Sequence, residues 1–141
     1  MKRSSLDVFS ARQRSELMGR IRSRDTKPEM RVRRLVHGMG YRYRLHVRNL
    51  PGSPDLVFRP RHKVVFVHGC FWHQHKGCSG SRMPKSPERL GYWQAKLTGN
   101  VVRDQKNETK LRDMGWQVLV IWECETKDLD RLAERIVAFL G

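Results

Sequence analysis

The chain has 141 residues, 38% of them apolar, and carries 29 Lys and Arg against 14 Asp and Glu, a formal charge of +15. That length fits one domain with a modest core. No run of eighteen apolar residues exists, so a membrane-spanning helix is excluded, and the opening MKRSSLDVFSARQRSELMG has no apolar stretch of the secretory kind.

The charge is uneven. Residues 1–50 hold fourteen Lys/Arg and four Asp/Glu, which accounts for +10 of the +15. Such a block suits a polyanion, because each neutralised phosphate releases counterions. Anionic membrane would call for an amphipathic helix with an aromatic face, and this third of the chain lacks one. Three cysteines, an odd number, argue against a disulfide framework and for a cytosolic compartment in which thiolates serve metals.

In chain order, residues 10–22 can form a short helix capped by Ser10, with Leu17, Met18 and Ile21 apolar. Thr26 and Glu29 make a T-x-x-E capping box, so a second helix is expected over 28–39, closed by Gly40. The segment YRYRLHV (41–47) alternates and predicts a half-buried strand. DLVF and KVVFV flank RPRH and predict a β-hairpin. A turn centred on Arg61 would set Phe58 against Val64 and Asp55 against Val67. A loop and a short helix should follow, then a polar helix over 100–115. WQVLVIWEC reads as a strand buried on both faces. A last helix, about 126–140, carries Leu129, Leu132, Ile136 and Leu140 on one side. The order predicts a single three-layer α/β domain, a mixed sheet with helices on its faces.

The stretch HGCFWHQHKGC (68–78) is crowded with reactive residue types. Cys70, His75 and Cys78 have C-x4-H-x2-C spacing, and Cys124, past the buried strand, would complete a tetrahedral Cys3His zinc site if that strand lies beside the hairpin. The plainer reading is reduced cysteines and a surface histidine. Asp55 at the start of a strand, opposite the backbone of Val67, could share one hard cation such as Mg²⁺ with a carbonyl. With His68 and His73 nearby, that would make metal-assisted phosphodiester hydrolysis. Alone, Asp55 reads as a turn residue, Glu29 as a capping residue and Asp104 as half of a surface ion pair. Phe71, Trp72 and Trp93 are either core or rings that stack on bases and wedge into a duplex.

Five blocks in order, LMGRIRSRDTKPE (17–29), LPGSPDLVF (50–58), VVFVHGCFWH (64–73), YWQAKLTGNVVRD (92–104) and GWQVLVIWEC (115–124), resemble the very short patch repair (Vsr) DNA mismatch endonucleases. The resemblance implies a restriction-endonuclease-like three-layer fold with a structural zinc. It implies nicking 5′ to the thymine of a T:G mismatch with Mg²⁺, in repair of deaminated 5-methylcytosine. Carried over by position, Asp55 and the Val67 carbonyl correspond to the Mg²⁺ ligands and His73 to the general base. His68, Glu29 and Asp104 correspond to the polar residues around metal and phosphate. Cys70, His75, Cys78 and Cys124 correspond to the zinc ligands. Phe71, Trp72 and Trp93 correspond to the wedge, and Met18 and Ile21 to apolar positions of an N-terminal helix approaching the other groove. The expectation is a monomeric bacterial enzyme, cytoplasmic and nucleoid-associated. Residues 1–25 would be a basic DNA-contacting segment and 26–141 one nuclease domain. Its partner would be double-stranded DNA with a T:G mismatch, mismatch-repair proteins being further candidates, and no membrane. The alternatives are a non-catalytic zinc-stabilised DNA-binding module, or a nuclease of the same fold with another DNA substrate.

Overall fold

The computed structural model describes residues 25–141, and the helix expected over 10–22, with Met18 and Ile21, lies outside them. The first described element, α1 (Lys27–Gly38), begins where the capping box predicts. Thr26 Oγ1 accepts from the Glu29 N–H at 3.4 Å, and Glu29 Oε2 accepts from the Thr26 N–H at 3.3 Å. Two N–H groups that a helix start would leave open are thereby satisfied. Val32 and Val36, one turn apart, are buried against the sheet.

Residues 41–47 do not form the strand their alternation predicts. Arg44 alone pairs, with Val57, through two backbone bonds of 2.9 Å. His46 stands at φ +54, in the left-handed region, which stops an extended run. Tyr41 and Tyr43 still pack on the core. The alternation of faces is therefore real, but no ladder accompanies it.

The hairpin is present as β1 (Leu56–Phe58) and β2 (Lys63–His68). Its register is one residue tighter than a turn centred on Arg61 would give: Phe58 faces Lys63 and Leu56 faces Val65. The loop explains the slip. Arg59–Arg61 make a 3-10 turn with Pro60 near its start, and His62 at φ +55 closes it in one left-handed step. Asp55 consequently lies just outside the ladder. Its carboxylate, not its backbone, meets Val67, whose N–H donates to Asp55 Oδ2 at 2.6 Å.

One 27-residue helix, α2 (Pro87–Asp113), occupies the stretch read as loop, short helix and second helix. Gly91 and Gly99 each disfavour it by about 1 kcal/mol relative to alanine, too little to interrupt so long a run. β3 (Gln117–Trp122) joins β2 in parallel, Lys63 beside Gln117 through His68 beside Trp122. The order β1-β2-β3 puts β3 at an edge among the described residues. It is mostly half-buried rather than covered on both faces. After a 3-10 turn (Glu123–Lys127), α3 (Leu129–Leu140) buries Leu132, Ile136 and Leu140. Leu129, expected on the same face, is exposed in the first turn.

Alternation along β2 divides the core. Val65 and Val67 face α1 and α3, packing with Val32, Val36, Leu132 and Ile136. Val64 and Phe66 face the other way, toward Leu50, Trp116 and Leu111 of α2. The result is a mixed α/β fold, a three-stranded mixed sheet with helices on both faces. No helix among the described residues is long and apolar enough to cross a membrane.

Candidate active site and metal cluster

A cleft of about 230 Å³ opens at the C-terminal end of β2. Glu29 from α1, Asp55 from before β1, Val67 and His68 from β2, His73 from the following loop and Asp104 from α2 all line it. Asp55 is half-buried. Enclosure pushes its carboxyl up to about 8; the Val67 N–H pulls against this, and the neighbouring Glu29 adds to it. Glu29 is itself engaged by the N–H groups of Asp25 and Thr26, the Thr26 hydroxyl and the Arg33 guanidinium. Buried Arg33 also holds Asp25 at 2.8 Å. One guanidinium thus serves two carboxylates, Asp25 and Glu29, and Asp55 is left short of positive charge. A strand residue sends its N–H and C=O to the same side, so the Val67 carbonyl leaves β2 toward Asp55. Carboxylate and carbonyl oxygens are the donor set of a hard divalent cation, and the residues fit Mg²⁺.

His73 Nδ1 lies 2.6 Å from Asp104 Oδ2. A carboxylate in that place keeps the proton on Nδ1 and leaves Nε2 as the basic lone pair. The other constraint is a flat stack: the His68 and His73 rings are 3.8 Å apart and 5° from parallel. Burial holds the His68 pKa down to about 4, with His73 adding and Asp104 opposing. His68 is therefore neutral near pH 7 and stacks without charge repulsion. Asp104 does not make the surface ion pair its neighbours suggest, and Arg103 bonds Asn100 instead.

Behind this cleft, Cys70, His75, Cys78 and Cys124 bring their donor atoms within 4.8 Å of one another. His75 Nδ1 is 3.7 Å from Cys70 Sγ and 3.5 Å from Cys124 Sγ. Tetrahedral zinc with Zn–S of about 2.3 Å and Zn–N of about 2.0 Å spaces S and N by about 3.5 Å. The donor set and its spacing therefore fit zinc. Burial raises the Cys70 and Cys124 thiols, while the Gly80 N–H lowers Cys78. A bound cation would make all three thiolates. The loop is shaped around the cluster: His75 N–H bonds Cys70 O at 2.9 Å, and the Ser81 hydroxyl bonds His75 O and Cys78 O. Parallel pairing of β2 with β3 delivers Cys124, so the thiol farthest away in sequence arrives through the sheet.

Phe71, Trp72 and Trp93 form one half-buried cluster, with ring centroids 5.2–5.6 Å apart in edge contacts. Tyr92, 53% exposed, extends it outward, and Lys96 lies over both indoles at 5.9 Å. One stripe of α2 organises all of this. Trp93, Leu97, Asn100, Asp104, Asn107 and Leu111 recur at three- and four-residue steps. Asn100, nearly buried, donates to the Trp72 carbonyl at 3.0 Å, and Asn107 and Glu108 complete the cleft. Sequence reasoning does not single out these three, although their helical spacing from Asp104 is a usable signal.

A protein-family model described as DNA mismatch endonuclease Vsr matches residues 6–79. The chain is 50% identical over 130 residues, 92% of its length and 93% of the relative's, to the type II nicking enzyme V.XorIIP of Xanthomonas oryzae pv. oryzae. The chain belongs to the Vsr family. Two further relatives extend the comparison. The type II nicking enzyme V.NmeAIP of Neisseria meningitidis is 42% identical over 92% of this chain and 91% of its own. The DNA mismatch endonuclease Vsr of Escherichia coli is 38% identical over 91% of this chain and 80% of its own. The Vsr model covers Glu29, Asp55, His68, Cys70, His73, His75 and Cys78, while Trp93, Asp104 and Cys124 lie beyond it. The family match thus spans the part of the site that comes from α1, the hairpin and the loop after β2, and the tertiary fold supplies the rest.

Proposed function

We propose that the chain is a strand-specific DNA mismatch endonuclease. It would nick 5′ to the thymine of a T:G mismatch by Mg²⁺-dependent phosphodiester hydrolysis and so start very short patch repair of deaminated 5-methylcytosine. On this reading the fold is restriction-endonuclease-like. The observation that carries the proposal is the His73–Asp104 pair facing Asp55 and Val67 across one cleft, at the foot of an aromatic cluster. The names of the relatives, a DNA mismatch endonuclease and two nicking enzymes, point the same way.

Asp55 and the Val67 carbonyl would hold the metal. When bound, Mg²⁺ supplies positive charge to the scissile phosphate and to the departing 3′-oxygen. His73 takes the proton of the attacking water at Nε2, because Asp104 occupies Nδ1 and stabilises the imidazolium that forms. His68, neutral and stacked, holds the plane of that ring. Cys70, His75, Cys78 and Cys124 would hold zinc, which supplies cross-linking and no chemistry. Phe71, Trp72 and Trp93 enter the duplex as a wedge. A mismatch is cheaper to unstack than a paired step, so deformability is part of the discrimination. Residues 1–25, with Met18 and Ile21, contribute contacts from the basic N-terminal segment.

The test is nicking of a panel of duplexes carrying every mismatch, with Mg²⁺ and with EDTA. Cutting of one strand at T:G, abolished by EDTA, is expected. Binding without cutting under any divalent cation would replace this reading with a zinc-stabilised binding module. Cutting of fully paired sites would replace it with a nuclease of other DNA specificity.

A further inference from the structure

Four rings connect the Cys/His cluster to the cleft. His75 of the cluster stacks on the indole of Trp122, with centroids 4.2 Å apart and planes within 8°. Trp122 in turn meets His68 edge-on, at 5.3 Å and 73°, and His68 lies flat on His73 at 3.8 Å. The backbone holds the same neighbours in register. His68 and Trp122 are paired across the parallel β2–β3 ladder. The two residues after Trp122 tie the turn that follows β3 to the loop that follows β2: Glu123 accepts the Cys70 N–H at 3.3 Å, and Cys124 is a donor of the cluster. The Trp122 N–H is itself tied to Glu125 Oε1 at 2.9 Å. A cavity of about 360 Å³ lies alongside, with His68, His73, His75, Asp104 and Trp122 among its walls. The rings are thus bordered by open space, and a smaller side chain at position 122 would leave them room to move.

We propose that Trp122 is a positioning residue, a rigid spacer through which the Cys/His cluster fixes the His68–His73 pair in the cleft. This rests on the reading of His73 as the general base. Asp104 anchors one edge of His73, but a single hydrogen bond leaves the ring free to swing about it. The flat contact with His68 removes that freedom only while His68 is itself held. Trp122 is held between the ladder and the stacked His75, so it is a fixed wall for His68, whose ring also touches Phe66 at 5.6 Å. Ring contacts of this kind are enough to select one orientation of a small ring.

The experiment compares Trp122→Leu and Trp122→Phe with the wild-type chain, all loaded with zinc. Measured for each are zinc content, affinity for a T:G duplex, kcat and KM for nicking, and the histidine ring resonances by NMR. The expected result for Trp122→Leu is one zinc retained, DNA affinity and KM unchanged, and kcat lower on the order of 10- to 100-fold. The His68 and His73 resonances should shift while those of distant His37 stay in place. Trp122→Phe, which keeps a flat ring, should recover most of kcat. An unchanged kcat in Trp122→Leu would overturn the proposal, as would a rise in KM alone, which would make Trp122 part of the DNA surface. Loss of zinc from both variants would overturn it too, making the residue part of the cluster's fold. If the wild-type chain nicks no duplex, the functional reading fails. The resonances then still decide whether Trp122 holds the histidine pair.

Discussion

Between pH 6.5 and pH 4 an unfolded chain protonates the histidine at position 68, while the folded chain, with that pKa held down to about 4 by burial, does not. The unfolded state then binds the extra proton, so stability falls as pH drops through this window. The loss attributable to this residue is roughly 3 kcal/mol. Urea titrations from pH 7 to pH 4 should show it, and a His68→Gln variant should have the flatter acid limb. Asp55 asks for the opposite: its carboxyl is held well above its ordinary value, and it lies at the floor of the cleft. A group that needs positive charge there should lose function more than fold when removed. Asp55→Ala is expected to keep affinity for a T:G duplex within a few-fold and to abolish nicking. Loss of binding in a gel-shift assay would instead make Asp55 a structural residue.

At the scale of elements, α1 and α2 build the site by different means. α1 does so with its N-terminus: the capping box that starts the helix also sets Glu29 beside Asp55. Thr26→Ala should cost about 1 kcal/mol in chemical denaturation and should lower nicking besides, because Glu29 loses its hydroxyl partner. A purely structural cap would lower stability and leave the rate alone. α2 works along its length, where one stripe sends Trp93 to the aromatic cluster, Asn100 to the Trp72 carbonyl and Asp104 to His73. The strands contribute order. Parallel pairing of β2 and β3 sets His68 beside Trp122. The loop after β2 and the turn after β3 leave the sheet at the same end and meet in the cluster.

For the whole molecule, two long-range effects follow. On the proposed zinc assignment, a chelator should release the loop over 69–82 from the turn after β3. A lower Tm, faster proteolysis within that loop and loss of nicking are expected together, with zinc restoring all three. A chain indifferent to chelators would return the cysteines to plain reduced thiols. The second effect is electrostatic. Residues 1–24 carry seven Lys/Arg and two Asp/Glu. Their removal should flatten the dependence of log K on log salt by about 0.9 for each phosphate that this segment neutralises. An unchanged slope would show that the rest of the chain provides all the ionic pairing with DNA.

The sequence by itself determined the local features, because their causes are local. Thr26 and Glu29 are three residues apart, so the capping box and the start of α1 could be read directly. The hairpin announced itself through two apolar runs, and the candidate ligands Cys70, His75 and Cys78 lie within one loop. The slip in hairpin register was not legible, since it hangs on the left-handed backbone of His62, which no side-chain pattern encodes. Nor was the unbroken α2: glycines weaken a helix by amounts that tertiary packing overrides. Taken alone, Asp104 reads as a surface acid. Only the packing of α2 over the loop brings it to 2.6 Å from His73. Trp122 and His75 are far apart in the chain, and the ring stack between them exists because β3 lies parallel to β2. Side-chain chemistry and short spacings are written in the chain. Which distant groups share a cleft is decided by strand order and helix packing, and those are properties of the folded whole.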